Sequence, residues 1–259
     1  MKKPEQIGPY TLLKQLGEKQ SGRVWLATAG ADGQKLALRI ARENDEAGRQ
    51  RMMHEVNLAA GFDHPNIVRI FECGASRGVT WIAMGYVPGP HGKLTLNNFR
   101  QLLLALVHVH ANDVVHADIH PGKLLLDEEG DMRLADFGSA RRAGEGGGPV
   151  HGALPFMPPE QLRAQPLDVR ADIFSAGAVL YQVLTGRAPF AGTAADRMSQ
   201  LLQDGQPAPS AVAPGLGDSF DEVVQRALAR DRDERYGNAF AFLAAFDAAC
   251  RRGVKPAAA

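Results

Sequence analysis

Residues 116–138 open with His116-Ala117-Asp118-Ile119-His120-Pro121-Gly122-Lys123 and close with Met132-Arg133-Leu134-Ala135-Asp136-Phe137-Gly138. Met132 to Leu134 reads as a strand, and Asp136 stands just past its end. Asp118 lies eighteen residues earlier. Upstream, residues 10–16, 23–28 and 35–40 read as short strands parted by Gly17, Gly22, Gly30 and Gly33. Residues 44–60 read as a helix with Met52, Met53, Val56 and Ala60 on one side. Residues 68–73 and 80–84 read as two further strands, and residues 85–92, with three glycines and two prolines, as a connector.

Downstream the periodicity turns helical. Phe99, Leu102, Leu103, Leu106 and Val109 recur at helical spacing. Residues 173–184 are apolar nearly all round, which predicts a helix at the centre of a domain. Ser219-Phe220-Asp221-Glu222 reads as a capping box opening a helix with Val223, Val224, Ala227 and Leu228. Phe240, Leu243 and Phe246 mark a last helix, and the tail from residue 254 reads as frayed. The pattern predicts an α+β fold: a strand-rich lobe over residues 1–86, a helical lobe over 87–252 and a tail over 253–259.

Composition narrows the function. The 259 residues carry 29 basic and 29 acidic side chains, so a nucleic acid or an anionic membrane is not the expected main partner. No run approaches the roughly 20 apolar residues of a membrane span, and the N-terminus does not read as a signal peptide. Cys73 and Cys250 suggest no disulfide framework, which predicts a reducing cytoplasm.

From Tyr10 to Tyr236 the chain resembles the protein kinase family, above all the bacterial serine/threonine kinases. The resemblance implies a bilobal fold with ATP and magnesium in the cleft between the lobes. It gives Asp136, in Asp-Phe-Gly, the role of holding magnesium, because a hard cation prefers carboxylate oxygen. It makes Asp118 the base for a substrate hydroxyl. His64-Pro65-Asn66-Ile67-Val68 follows the mobile helix, and Glu55 falls where the family has its ion-pairing glutamate. A pair between Glu55 and residue 39 is expected, the alternative being a solvated face. Gly152 to Gln161 resembles the end of the activation segment; Glu160 is expected to pair with Arg235, and Asp172 to brace the catalytic-loop backbone. Gly17, Val24, Ala37 and Leu125 would enclose adenine, with the backbone of Met84, Gly85 and Val87 reading its edge. His116 and His120 could be taken for a metal site, but the first occupies a structural position of the family and no further ligand cluster accompanies them.

The departures from the family pattern bear on function. The glycine-rich loop runs Gly17-Glu18-Lys19-Gln20-Ser21-Gly22, with Lys19 where a glycine would let backbone amides approach phosphate. Lys19 either obstructs that cradle, offers its own charge, or simply faces solvent. Arg39 replaces the phosphate-binding lysine; its planar guanidinium favours a fork with Glu55. Ala117 replaces the arginine that would receive a phosphorylated loop residue, and His120 replaces a lysine that would neutralise the transferred phosphoryl group. Lys123 replaces the asparagine that would hold a second magnesium ion. An ammonium has no lone pair to give a cation, so Lys123 is expected to pair with Asp118 or Asp136.

Ser139 is the only hydroxyl residue between Asp136 and Glu160; with no threonine to phosphorylate and no arginine at position 117 to receive it, activation by loop phosphorylation is not expected. Gly144-Glu145-Gly146-Gly147-Gly148 predicts a mobile loop. Only 30 residues separate Tyr86 from His116, which predicts a missing helix after the hinge and an open cleft mouth. The resulting expectation is a pseudokinase that binds ATP and magnesium weakly or not at all and engages another protein: a kinase, a regulator or a substrate. The alternative is a divergent but active serine/threonine kinase. Nucleotide binding without transfer is a variant of the first.

Overall fold

The computed structural model describes residues 5–19, 22–30, 33–41, 45–76, 78–89, 92–145, 152–190, 192, 196, 199–200 and 206–253. Strands β1 (Gln6–Ile7), β2 (Tyr10–Lys19), β3 (Gly22–Ala29), β4 (Gln34–Ile40), β5 (Ile70–Ser76) and β6 (Val79–Gly85) form one antiparallel sheet in the order β1-β2-β3-β4-β6-β5. The single crossing within that order is made by α1 (Glu46–Ala59), inserted between β4 and β5.

Asp45 caps α1 by accepting the Gly48 N–H at 2.7 Å. The buried face of α1 is Met52, Glu55, Val56 and Ala59, a helical stripe that includes a carboxylate. The sequence reading puts Met53 and Ala60 on that face; both are exposed. Apolar periodicity passes over Glu55, which is buried because it has a cationic partner on β4.

The second lobe is helical. Thr95 and Asn98 form a reciprocal capping box at the start of α2 (Leu96–Ala111). Its Phe99, Leu102, Leu103, Leu106 and Val109 are all buried, as the spacing predicts. Beyond it come β7 (Val114–Val115), β8 (Leu124–Leu126), β9 (Met132–Leu134) and β10 (Arg141–Arg142). β8 pairs with β9 and β7 with β10, both antiparallel. Helices α3 (Pro159–Leu162), α4 (Val169–Thr185), α5 (Pro209–Val212), α6 (Asp221–Ala227) and α7 (Ala239–Gly253) complete the lobe. α4 is buried continuously from Ala171 to Tyr181 and ends on Gly186 at φ 77°, the left-handed cap a glycine supplies without strain.

Two local expectations differ. The capping box at Ser219 does not form: α6 starts at Asp221, and no side chain caps its first turn. Asp221 instead accepts from the Ser210 backbone at 3.0 Å and its hydroxyl at 2.5 Å, which ties α5 to α6. On α7, Phe240 is 69% exposed while Phe242 and Phe246 enter the core. The glycines at 146–148, the tip of the glycine-rich loop at 20–21 and the tail from 254 lie outside the described residues. No helix among the described residues is long and apolar enough to cross a membrane.

One large apolar cluster joins α1 and the sheet to α2, α4, α6 and α7. Each fully buried Leu or Phe in it contributes about 1.5–3 kcal/mol. The fold therefore rests on this core, and the ion pairs in the cleft decide local arrangement.

Candidate functional site

The cleft lies between the sheet and the β8–β9 hairpin, with a volume of about 330 Å³. Leu16, Val24, Ala37 and Leu125 give it apolar walls, and Met84 to Pro88 form its rear edge. Among the described residues no helix follows Gly85 until α2, which agrees with the short spacing from Tyr86 to His116. Gly17 lines the cleft. Gly22 does not; a Cβ there would meet the Ile40 carbonyl oxygen at 2.1 Å, so this glycine serves the β3–β4 approach. The Lys19 side chain lies outside the described residues.

At the inner end, β4 carries Arg39 and α1 carries Glu55. Arg39 Nη1 lies 2.5 Å from Glu55 Oε2, and both side chains are 3% exposed. Arg39 Nη2 reaches Asp136 Oδ1 at 3.4 Å. Glu55 Oε1 also accepts the Phe137 N–H at 3.2 Å, so one glutamate holds both β4 and the start of the Asp-Phe-Gly turn. Burial opposes the charge on Arg39, but Glu55 and Asp136 outweigh it and raise its pKa.

Lys123 stands opposite, at the end of the short 3-10 turn Pro121–Lys123. Its Nζ lies 2.5 Å from Asp136 Oδ2 and 3.0 Å from Asp118 Oδ2. Burial would lower the Lys123 pKa; Asp136 and then Asp118 reverse that and raise it, so the group stays charged. The side chains Glu55, Arg39, Asp136, Lys123 and Asp118 thus form a chain of alternating charge. A divalent ion between Asp118 and Asp136 would have to displace an ammonium already bonded to both.

The loop that holds Asp118 is anchored from beneath. Asp172 on α4 accepts the backbone N–H groups of His116 at 2.8 Å and Ala117 at 2.9 Å, and His110 Nε2 lies 3.0 Å from it. His116 is buried; its Nδ1 accepts the Asp118 N–H at 3.3 Å, and burial lowers its pKa. Its other nitrogen faces the Ala135 carbonyl at 3.4 Å, so its ring is engaged on both sides and is not a metal ligand here. His120 Nε2 lies 3.7 Å from Asp118 Oδ1, while its Nδ1 accepts the Gly122 N–H at 3.2 Å. Among the described residues no three His, Cys, Asp or Glu side chains gather as a metal site.

Ala117 has φ 61° and packs with Val115, Leu167 and Ala171. Its carbonyl accepts from Gln161 Nε2 at 2.8 Å, which ties the loop to the end of the activation segment. Glu160 and Arg235 form a buried fork at 2.6 and 2.9 Å.

The sequence reading therefore locates the Arg39–Glu55 and Lys123 pairings, the Glu160–Arg235 pair and the Asp172 brace, but the fork expected between Arg39 and Glu55 does not form, because the second Nη of Arg39 turns to Asp136. It misses two links, Arg39 to Asp136 and Gln161 to Ala117. The first is hidden because Arg39 and Asp136 are 97 residues apart; the extra reach of arginine over lysine is the one signal that pointed to it.

The protein kinase domain matches residues 10–245. The chain is 32% identical over 266 residues to the probable serine/threonine-protein kinase PknB of Bifidobacterium longum, covering 91% of this chain and 39% of the relative. It is 32% identical over 252 residues to serine/threonine-protein kinase PrkC of Bacillus subtilis, covering 90% and 39%. It is 35% identical over 269 residues to serine/threonine-protein kinase PknJ of Mycobacterium tuberculosis, covering 94% and 46%. The chain thus spans less than half the length of these curated relatives.

Proposed function

From the premise that this chain belongs to the protein kinase family, we propose that it is a pseudokinase, a module that uses the kinase shape to engage another protein in the cytoplasm. The observation that carries this reading is Lys123, held between Asp118 and Asp136 at 3.0 and 2.5 Å. The family's ATP chemistry uses metal ions between carboxylates and phosphates. The residues present do not fit a metal ion bridging this pair of carboxylates: position 123 offers an ammonium without a lone pair, and Asp118 and Asp136 already share it. Binding of ATP and magnesium is accordingly weak or absent.

Transfer suffers more than binding. Phosphoryl transfer depends on positioned charge, and loss of one transition-state donor commonly costs about 10²–10³ in rate. Here the residues at 39, 120 and 123 all depart from the family pattern, and Ala117 removes the receiver of an activating phosphate. The effects are not additive, but they act in one direction.

A second reading, a divergent active serine/threonine kinase, is favoured by the names of the relatives, all of them kinases. It is also favoured by the retained Asp118, Asp136 and a cation paired with Glu55. A single-turnover assay with γ-labelled ATP and magnesium decides between the two. The expected result is no transfer above that of the Asp118→Asn variant. Transfer that this substitution abolishes overturns the pseudokinase reading.

A further inference from the structure

Helix α7 carries almost no charge on the side it turns to solvent. Between Ala239 and Cys250 its one charged residue is Asp247, and Arg100 on α2 holds that carboxylate at 2.9 and 3.1 Å. The inward side, with Phe242, Leu243, Phe246 and Ala249, enters the core. The outward side is apolar as well: Phe240, Ala241 and Ala244 are exposed and Ala248 is half-buried. Phe240 is the most exposed large apolar side chain among the described residues. A helix that is apolar all round is ordinarily covered on every side. Positions 240, 244, 248 and 251 follow at steps of four, four and three, so they form one stripe along the helix.

The stripe has opposite charges beyond its two ends. Arg251 continues it at the C-terminal end, and Glu234 closes the 3-10 turn Arg232–Glu234 just ahead of the helix. Both are exposed, and neither has an ion-pair partner among the described residues. Their neighbours Asp233 and Arg232 are already engaged, with Arg170 and Asp168.

We infer that this face of α7 is where a second copy of the chain docks, the two helices antiparallel about a twofold axis near Ala244. In that register Phe240 of each copy lies over Ala248 of the other, and Ala244 meets its own counterpart. The alanines let the helices approach closely, and both phenylalanines leave water. Arg251 of each copy then reaches the segment ahead of the other's helix, where Glu234 stands, so the ion pair forms twice. A foreign helix would have to present the same charges in reverse order to match this, and an anionic membrane would repel Glu234. A single helix pair lies at the small end of specific interfaces, so a dissociation constant of about 10–100 µM is expected. The inference uses no part of the cleft and stands apart from the pseudokinase reading.

The test is sedimentation velocity of the whole chain from about 1 to 200 µM. The sedimentation coefficient should rise toward that of a dimer across this range. Phe240→Glu and Ala244→Glu should each stay monomeric throughout, with melting temperatures at the lowest concentration equal to the parent's, since both positions face solvent. Arg251→Glu should weaken association about threefold to tenfold, and adding Glu234→Arg should restore it. Ala244→Cys should form a disulfide-linked dimer on air oxidation, because a residue near a twofold axis meets itself. A parent chain that stays monomeric at about 200 µM overturns the inference. So does a dimer that Phe240→Glu and Ala244→Glu leave intact. A dimer without the Ala244→Cys cross-link, or one that Glu234→Arg fails to restore, overturns the antiparallel register.

Discussion

The Nζ of Lys123 lies 2.5 Å from Oδ2 of Asp136, within hydrogen-bonding distance. The same ammonium lies 3.0 Å from Asp118, so a single cation bridges two neighbouring carboxylates. Replacing it with methionine leaves those carboxylates facing each other. The two like charges then repel each other in a largely buried site. Lys123→Met is therefore expected to lose about 1–3 kcal/mol at pH 7, the buried-pair cost discounted for partial exposure. Urea denaturation measures this, and an unchanged midpoint would show that Lys123 does not hold the pair together. Magnesium should raise the melting temperature of Lys123→Asn and leave that of the parent chain unchanged.

The Arg39–Glu55 pair is the most deeply buried link of the chain, with both side chains 3% exposed. Arg39→Met strands Glu55 without a cationic partner and should cost about 3–5 kcal/mol. Substituting both residues by methionine should cost less than Arg39→Met alone, because no charge is then left unpaired. A double-mutant cycle by chemical denaturation checks the sign of the coupling. Additive losses would mean that the two side chains act independently.

Arg235 donates to both Glu160 oxygens at 2.6 and 2.9 Å and to the carbonyls of Ala229, Arg170 and Arg230 at 2.8, 2.9 and 3.2 Å. Lysine carries the charge but lacks the planar fork. Arg235→Lys is expected to cost about 3 kcal/mol or more, a large share of the roughly 5–15 kcal/mol that stabilises a typical domain. Its denaturation midpoint should fall accordingly; a change of a few tenths of a kcal/mol would contradict a structural role for the fork.

His116 is buried and its pKa is lowered from the ordinary 6.5, with burial the largest cause; His64 is lowered in the same sense by burial and then by His108. A histidine with a lowered folded pKa takes up protons first in the unfolded chain. Stability is therefore fully present above about 6.5 and declines as pH falls below that value. The slope due to each such histidine is at most about 1.4 kcal/mol per pH unit. Melting temperatures from pH 7.5 to 5.5 should show the decline, and His116→Asn, which keeps an acceptor for the Asp118 N–H, should make it shallower.

Restoring the family arginine at position 117 should do harm. Ala117 is 3% exposed and packed with Val115, Leu167 and Ala171. Ala117→Arg puts a charge into that apolar cluster and should cost about 1–3 kcal/mol, the range for overpacking a core. A variant as stable as the parent, judged by thermal melting, would show that the site is more open than its packing implies.

Much of this protein is written in local sequence. Strand and helix order, the glycine-bounded turns and the apolar face of α2 follow from periodicities of two and 3.6 residues, which any window of the chain displays. The Lys123 pairing also follows from sequence, because Asp118, Lys123 and Asp136 fall on one loop and hairpin, and an ammonium among carboxylates has few other choices. What the tertiary structure alone decides is the burial of Glu55 in an otherwise apolar stripe, the reach of Arg39 across the cleft to Asp136, and the grip of Gln161 on the Ala117 carbonyl. Each depends on two segments far apart in the chain arriving at one distance and angle. Local propensity carries no information about that meeting; the packing of β4, α1 and α4 around the common core fixes it.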